Sequence, residues 1–353
     1  MKHVGLSEVL LSAISAIAYA TASAGAQATA AGGSGPVLVL QGRTELPGYS
    51  GDFDHFAVDL PGGRLFLAAE DHGTLEVFDL KSGKHLQSVG GFETPHSIFP
   101  IPQTHKLLIT DGSDSIKLLD DRTLAPAGTI KLHPGADSVG FDGSTGHLYV
   151  VTGGKDVKLK ESWLEEIDPV STRKVGEVHL DADHVEAMAV EQHGPHLYIN
   201  VTDKNYVAVV DKNTRKIVAQ WPVREAAQNA LAQLDEAAHR LFIVARSPGK
   251  LIVLNADTGA SIASFAAPGR VDAEIFDEAN RRVYAPGGEG YIGVYAENDP
   301  SHFAELPHVP SSVGAKTAIL VPELHRLYVA VSPGEGKTGG GIIWFDVKSA
   351  SAS

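Results

Sequence analysis

One short pattern returns seven times along this chain. Leu65-Phe-Leu-Ala-Ala, Leu107-Leu-Ile-Thr, Leu148-Tyr-Val-Val, Leu197-Tyr-Ile-Asn, Leu241-Phe-Ile-Val, Val283-Tyr-Ala-Pro and Leu327-Tyr-Val-Ala begin 42, 41, 49, 44, 42 and 44 residues apart. A repeat of this length is one supersecondary unit that cannot bury its apolar face alone and must stack on its neighbours. A polar turn precedes most copies, such as Gly62-Gly63-Arg64 or His239-Arg240. A second apolar segment follows and closes on an acidic or amide turn, as in Val77-Phe78-Asp79-Leu80-Lys81-Ser82-Gly83 and Val253-Leu254-Asn255-Ala256-Asp257-Thr258-Gly259. Asp, Asn, Ser, Thr and Gly suit tight reversals because their side chains or φ range satisfy the turning backbone. The stretches between are short and rich in Val, Ile, Leu, Tyr and Phe, so each repeat reads as four strands.

Seven units of four short antiparallel strands predict an all-β, seven-bladed β-propeller, in which radial repetition protects the strand edges. The last repeat is incomplete: after Ile342–Asp346 only a Ser/Ala tail remains. The segment Val37–Leu46 precedes the first full repeat and lacks partners of its own. It is expected to supply the missing outer strand of blade seven and close the ring. One domain, residues 37–349, then absorbs the length, with 350–353 as a tail.

The recurring G-[KRH]-L-[FY]-[VIL] followed by V-x-D-x-x-[ST] appears in Gly146-His147-Leu148-Tyr149-Val150 and in Val209-Val210-Asp211-Lys212-Asn213-Thr214. Together with Thr94-Pro95-His96, these phrases resemble the YVTN-repeat, YncE-like seven-bladed propellers over essentially the whole mature chain. The resemblance implies an exported protein; members mostly lack an assigned activity, and some carry a DNA-binding label. Gly-His…Trp-Asp pairs, S-x-D-x-G-x-T-W boxes and tryptophan-docking repeats are missing.

Composition narrows the partners. There are 29 basic against 43 acidic residues, a formal charge of −14, and no cysteine. An acidic surface repels phosphate backbones and anionic membranes, so nucleic acid is disfavoured as a partner. Disulfides, thiolate nucleophiles and Cys-ligated metals are excluded. Lys2 and His3, the apolar run Val9–Ala20 and the small-residue triplets up to Ala28 have the order of a secretory signal peptide. Residues 1–28 are read as that leader and 29–36 as a linker, so the protein is expected to be periplasmic or extracellular. No later segment is apolar for the roughly 20 residues that a membrane span needs. The mature protein is expected to be a monomer.

Counting eleven residues back from each repeated Leu or Val gives one equivalent position per blade: Asp54, His96, Asp137, Glu186, Ala230, Asp272 and Lys316. These should line one level of the central channel, and rims held by a rigid scaffold are where function concentrates. Period-two spacing adds Asp52, His184 and Glu274 as same-face companions, while His55 replaces Asp54 if the register slips by one. Converging carboxylates repel, so they must take up protons, stay hydrated or share a cation. The metal-ligand candidates are Asp54, His96, Asp137, Glu186 and Asp272, a set suited to Ca²⁺, Mg²⁺, Mn²⁺ or Zn²⁺. The binding rim comprises these residues with His55 and Lys316. His105, His147, His196, His239 and His325 occupy turns before the repeated strand and read as scaffold. Lys155–Trp163 is a longer rim loop, and the sequon at Asn200 falls within a strand.

H-E-x-x-H, G-x-S-x-G and P-loop motifs are missing. The favoured reading is therefore a non-enzymatic exported binding module that holds a small ligand, a metal or a protein at the rim. Two alternatives stand beside it. One is a metal-dependent hydrolase, lactonase or lyase with Glu186 and His184 as acid–base pair. The other is an accessory subunit of a redox system.

Overall fold

The acidic turn that closes each repeat's third strand is built by its own side chain. Asp79 Oδ1 accepts from Ser82 N at 2.8 Å, Asp120 Oδ1 from Thr123 N at 2.7 Å and Asp211 Oδ1 from Thr214 N at 2.7 Å. Asn255 Oδ1 does the same with Thr258 N at 2.9 Å. Bonds from the Ser or Thr hold the carboxyls of Asp79, Asp120 and Asp211 below the usual range. This is the physical content of the D-x-x-[ST] phrase: an ionised cap that reverses the chain toward the outer strand.

A computed structural model describes residues 35–113, 115–334 and 336–350. These form seven four-stranded antiparallel sheets, the blades of a propeller ring. The expected leader 1–28 lies outside the described residues, as do positions 29–34 of the linker and 351–353 of the tail. Blade one runs outward through Phe56–Asp59, Arg64–Ala69, Thr74–Asp79 and His85–Gly90. The first strands of the other blades are Pro95–Ile101, Val139–Asp142, Val185–Val190, Ala227–Asp235, Ile275–Asp277 and Ala315–Val321. Each begins near the level of the aligned polar position and leads away from it. Among the described residues no helix is long and apolar enough to cross a membrane.

Blade seven combines Ala315–Val321, Arg326–Val331 and Gly341–Val347 with Leu38–Glu45 from the other end of the chain. Leu38 pairs with Val347 and Glu45 with Gly341. The expected closure by the N-terminal strand is thus the observed one, and the ring joins through backbone hydrogen bonds rather than a covalent link.

The core is a set of apolar seams between blades. Phe66, Leu75 and Val77 of blade one meet Ile98, Leu107 and Ile109 of blade two, all buried. One position recurs in every seam. Phe56, Ile98, Val139, Met188, Ala232 and Ala318 each pair with the third residue of the repeated Leu or Val pattern. They belong to the apolar clusters or pack against them. Just ahead of this position the pairing slips in several blades: between Pro95 and Ile98, Val185 and Met188, Asn229 and Leu231, and Ala315 and Thr317. Such bulges insert one residue and re-aim a side chain. They put the aligned polar residue over the channel and the residue two places on into the seam.

Candidate functional site

The aligned residues meet at the channel mouth, where they partner one another and two further groups that the alignment did not include, Arg246 and Glu70. In blade five the equivalent position is Ala230, which has no side chain to reach inward. Arg246, at the end of strand Arg240–Ser247, fills the gap. Its Nη1 donates to Glu186 Oε1 of blade four at 2.8 Å and its Nη2 to Asp272 Oδ1 of blade six at 2.8 Å. Lys316 Nζ of blade seven donates to Asp272 Oδ2 at 2.8 Å and lies 3.1 Å from Asp52 Oδ2. On the other flank Lys155 Nζ donates to His184 Nδ1 at 2.9 Å, which leaves the proton on Nε2 to be donated to Glu186 Oε1 at 2.8 Å. Hydrogen bonds and ion pairs therefore run without a break from Lys155 to Asp52, with Arg246 and Lys316 alternating with the carboxylates. Burial disfavours the Glu186 carboxylate, yet His184 and Arg246 outweigh it and hold its pKa below the usual value. Lys316 is pushed up to about 12 against the cost of burial by Asp272 and Asp52.

The opposite arc, over blades one to three, is built differently. His96 Nδ1 donates to Asp54 Oδ2 at 2.7 Å, and His55 Nδ1 lies 2.5 Å from Asp54 Oδ1. Asp54 and His55 thus act together rather than as alternatives of register. Burial opposes charge on Asp54, but the two imidazoles keep it ionised and hold its pKa far below the usual value. Against the same burial, Asp54 and its acidic neighbours raise His55 to about 9, while Asp137 and Asp54 raise His96 to about 10. Two carboxyls are only partly compensated. Glu70, which follows strand Arg64–Ala69, is raised to about 7 by burial and by the charge of Asp54. Asp137 is raised to about 6 by burial, against the pull of His96 3.8 Å away. No Lys or Arg among the described residues forms an ion pair with either.

A cavity of about 630 Å³ opens over this arc, lined by Glu70, His96, Asp137, His184 and Glu186 together with the Lys155–Lys158 segment. The anticipated rim loop therefore borders the site, although Trp163 belongs to strand Ser162–Asp168 and stacks on His133 at 4.0 Å between ring centroids. Ligand atoms of Asp54, Glu70 and His96 all lie within 4.8 Å of one another, the spacing at which three side chains can share a cation. The other metal candidates are engaged elsewhere: Glu186 and Asp272 by Arg246, and Asp137 only at the edge of the cluster.

Glu70 and Arg246 are the two site residues that alignment of first strands misses, and both stand at one repeat position. Five residues beyond the repeated Leu or Val the blades carry Glu70, Gly112, Gly153, Thr202, Arg246, Gly288 and Ser332. Only two of the seven are long and charged, a signal present in the sequence. Glu274 is the opposite case. It was expected beside Asp272 on the channel face, but pairing slips by one residue between Val271↔Gly287 and Ile275↔Tyr284. The slip sends Glu274 to the seam position, where it is 4 % exposed. His105, His239 and His325 sit at positive φ in their turns, in keeping with a scaffold role. Asn200 is fully buried and accepts from Asn229 Nδ2 at 2.6 Å, leaving no room for a glycan.

No protein-family model matches the chain, and no curated protein matches it in sequence. Solved structures do share its fold. A chain of the Kuenenia stuttgartiensis hydrazine synthase is similar at 14 % identity with a TM-score of 0.68, covering 82 % of this chain and 94 % of that one. A chain of a mitotic checkpoint complex is similar at 14 % identity with a TM-score of 0.71, covering 87 % of this chain and 94 % of that one. At such identities the likeness is one of fold, and the chain is a seven-bladed β-propeller.

Proposed function

We propose that the protein is an exported, YncE-like binding module whose rim cavity takes a small cationic ligand, with a divalent metal ion as its simplest form. The carrying observation is the uneven balance of charge around the ring. From Lys155 to Asp52 each carboxylate is held by a Lys or Arg of the protein's own, whereas Glu70 and Asp137 face the cavity with only His96, which is already bonded to Asp54, as a nearby cation. A carboxyl kept partly protonated by burial and negative neighbours is stabilised by an incoming positive charge, which displaces the proton. Asp54 and Glu70 offer carboxylate oxygens and His96, once a metal displaces its proton, an imidazole nitrogen, a donor set suited to Zn²⁺ or Mn²⁺. Binding fits better than acid–base catalysis. Glu186, the anticipated catalytic acid, is tied to Arg246 and His184 and kept ionised, so it has no proton to give near neutral pH.

Thermal melting with chelator, then with ZnCl₂, MnCl₂ or CaCl₂, tests this. A ligand that binds only the folded ring at 100 times its Kd adds about 2.7 kcal/mol. Wild type should gain several degrees in Tm, and the Glu70→Gln/Asp137→Asn double variant should gain none while remaining folded. Unchanged melting of wild type with all three ions, or equal gains in the variant, would refute the reading.

A further inference from the structure

Glu274 is out of place. Its equivalents in the other blades are Phe56, Ile98, Val139, Met188, Ala232 and Ala318, the side chains that fill the seams. Both of its carboxylate oxygens are buried, and neither has a hydrogen-bond partner among the described residues. An unpaired buried polar group costs free energy that an aliphatic residue would not. A buried group with no partner inside the fold calls for one from outside.

Such a partner has a place to bind. Glu274 lines a second cavity of about 360 Å³, distinct from the rim site. This chamber runs from the underside of the charged ring, at His55 and Asp272, to the turn at Pro322 on the far side of the channel. Its walls are mainly apolar, and Ile275, Phe276, Ile319 and Leu320 are each partly exposed there. An apolar pocket with one placed polar group is the usual form of a small-molecule site.

We infer that this chamber binds a small organic cation, a primary ammonium carried on a compact apolar body, with Glu274 as its counter-charge. The ammonium supplies the donors that the carboxylate lacks, and the body covers the half-exposed Ile, Leu and Phe side chains. The net charge of −14 favours arrival of a cation over an anion. Besides Glu274, the titratable groups lining the chamber are His55 and Asp272. Asp272 is already held by Arg246 and Lys316. Tyr295, on the third strand of the same blade, senses Glu274 but donates its hydroxyl to Ala266 O at 2.6 Å. Burial raises the Glu274 carboxyl well above the usual carboxylate range, and an incoming ammonium opposes that rise by stabilising the carboxylate.

The test uses phenethylammonium chloride as probe, with 2-phenylethanol and 3-phenylpropionate as matched neutral and anionic controls. Calorimetry on the mature protein at pH 7, in two buffers of different ionisation heat, should give binding of the amine, with any proton exchange in the direction of release. The controls should bind at least tenfold more weakly. Glu274→Gln should weaken the amine at least tenfold. Glu274→Met, which copies blade four, should abolish binding while raising Tm by a few degrees, so lost binding cannot be put down to misfolding. Three results would overturn the inference: no amine binding to wild type, equal binding of amine and alcohol, or a lower Tm for Glu274→Met. Metal binding at the rim uses other residues, so either site can fail without the other.

Discussion

Replacing Arg246 with Met removes the guanidinium and keeps most of the aliphatic volume, leaving Glu186 and Asp272 facing each other across the gap at Ala230. Arg246 makes one hydrogen bond of 2.8 Å to each carboxylate, and its side chain is 26 % exposed, with Glu186 at 18 % and Asp272 at 25 %. Breaking a fully buried pair by removing one partner costs about 3–5 kcal/mol. Partial exposure lets water screen the orphaned charges, and Lys316 and His184 still hold one oxygen of each, so about 2–4 kcal/mol is expected. For a domain of this size each kcal/mol moves Tm by about 2 °C, which gives a fall of about 4–8 °C at pH 7. The pH dependence follows from linkage. In wild type the Glu186 pKa is lowered from 4.5, so its contribution is present above that value and lost on acidification. Without Arg246 its folded pKa rises, so protonation relieves the repulsion, and the gap between variant and wild type should narrow from pH 7 toward pH 4.5. Melting by circular dichroism across that range is the assay. A variant within 1 °C of wild type at pH 7, or a gap that widens on acidification, would refute the alternating ring as a stabilising element.

Deleting residues 38–45 should expose the edge of Gly341–Val347 and remove its register of seven residue pairs. At about 1 kcal/mol for each ladder hydrogen bond the loss is several kcal/mol. A circular dichroism melt should show a sharply lowered Tm with aggregation, and an unchanged Tm would refute closure through this strand. Raising the pH should destabilise the wild type in two steps. Glu70 and Asp137, raised to about 7 and about 6 from 4.5 and 3.8, contribute stability that is full below their ordinary values and lost as pH climbs through 6–7. His55 and His96, raised to about 9 and about 10 from 6.5, contribute below 6.5 and lose it through 9–10. In a pH series of melts, Glu70→Gln/Asp137→Asn should abolish the first step and leave the second; an unchanged first step would refute the assignment.

The fold was legible because its information is local and repeated. A strand that alternates toward a seam, an Asp that caps the turn three residues ahead of a Ser or Thr, and a missing fourth strand in the last repeat are all written within a few residues of one another. Copied seven times, they leave little but a ring closed by Val37–Leu46. The same counting brought Asp54, His96, Asp137, Glu186, Asp272 and Lys316 to one level. Which charges face which was decided only in three dimensions. Arg246 meets Glu186 60 positions away and Asp272 26 positions away, because the methyl of Ala230 leaves a space that a neighbouring strand can reach into. Bulges at the channel end break the period of two, so His55 joins Asp54 instead of opposing it, while Glu274 leaves the channel wall for an apolar seam. The sequence determined that carboxylates would converge; the tertiary structure decided which of them are paired with a Lys or Arg from within and which are not. Electrostatic partnership depends on distance through space and on burial, and neither is a property of spacing along the chain.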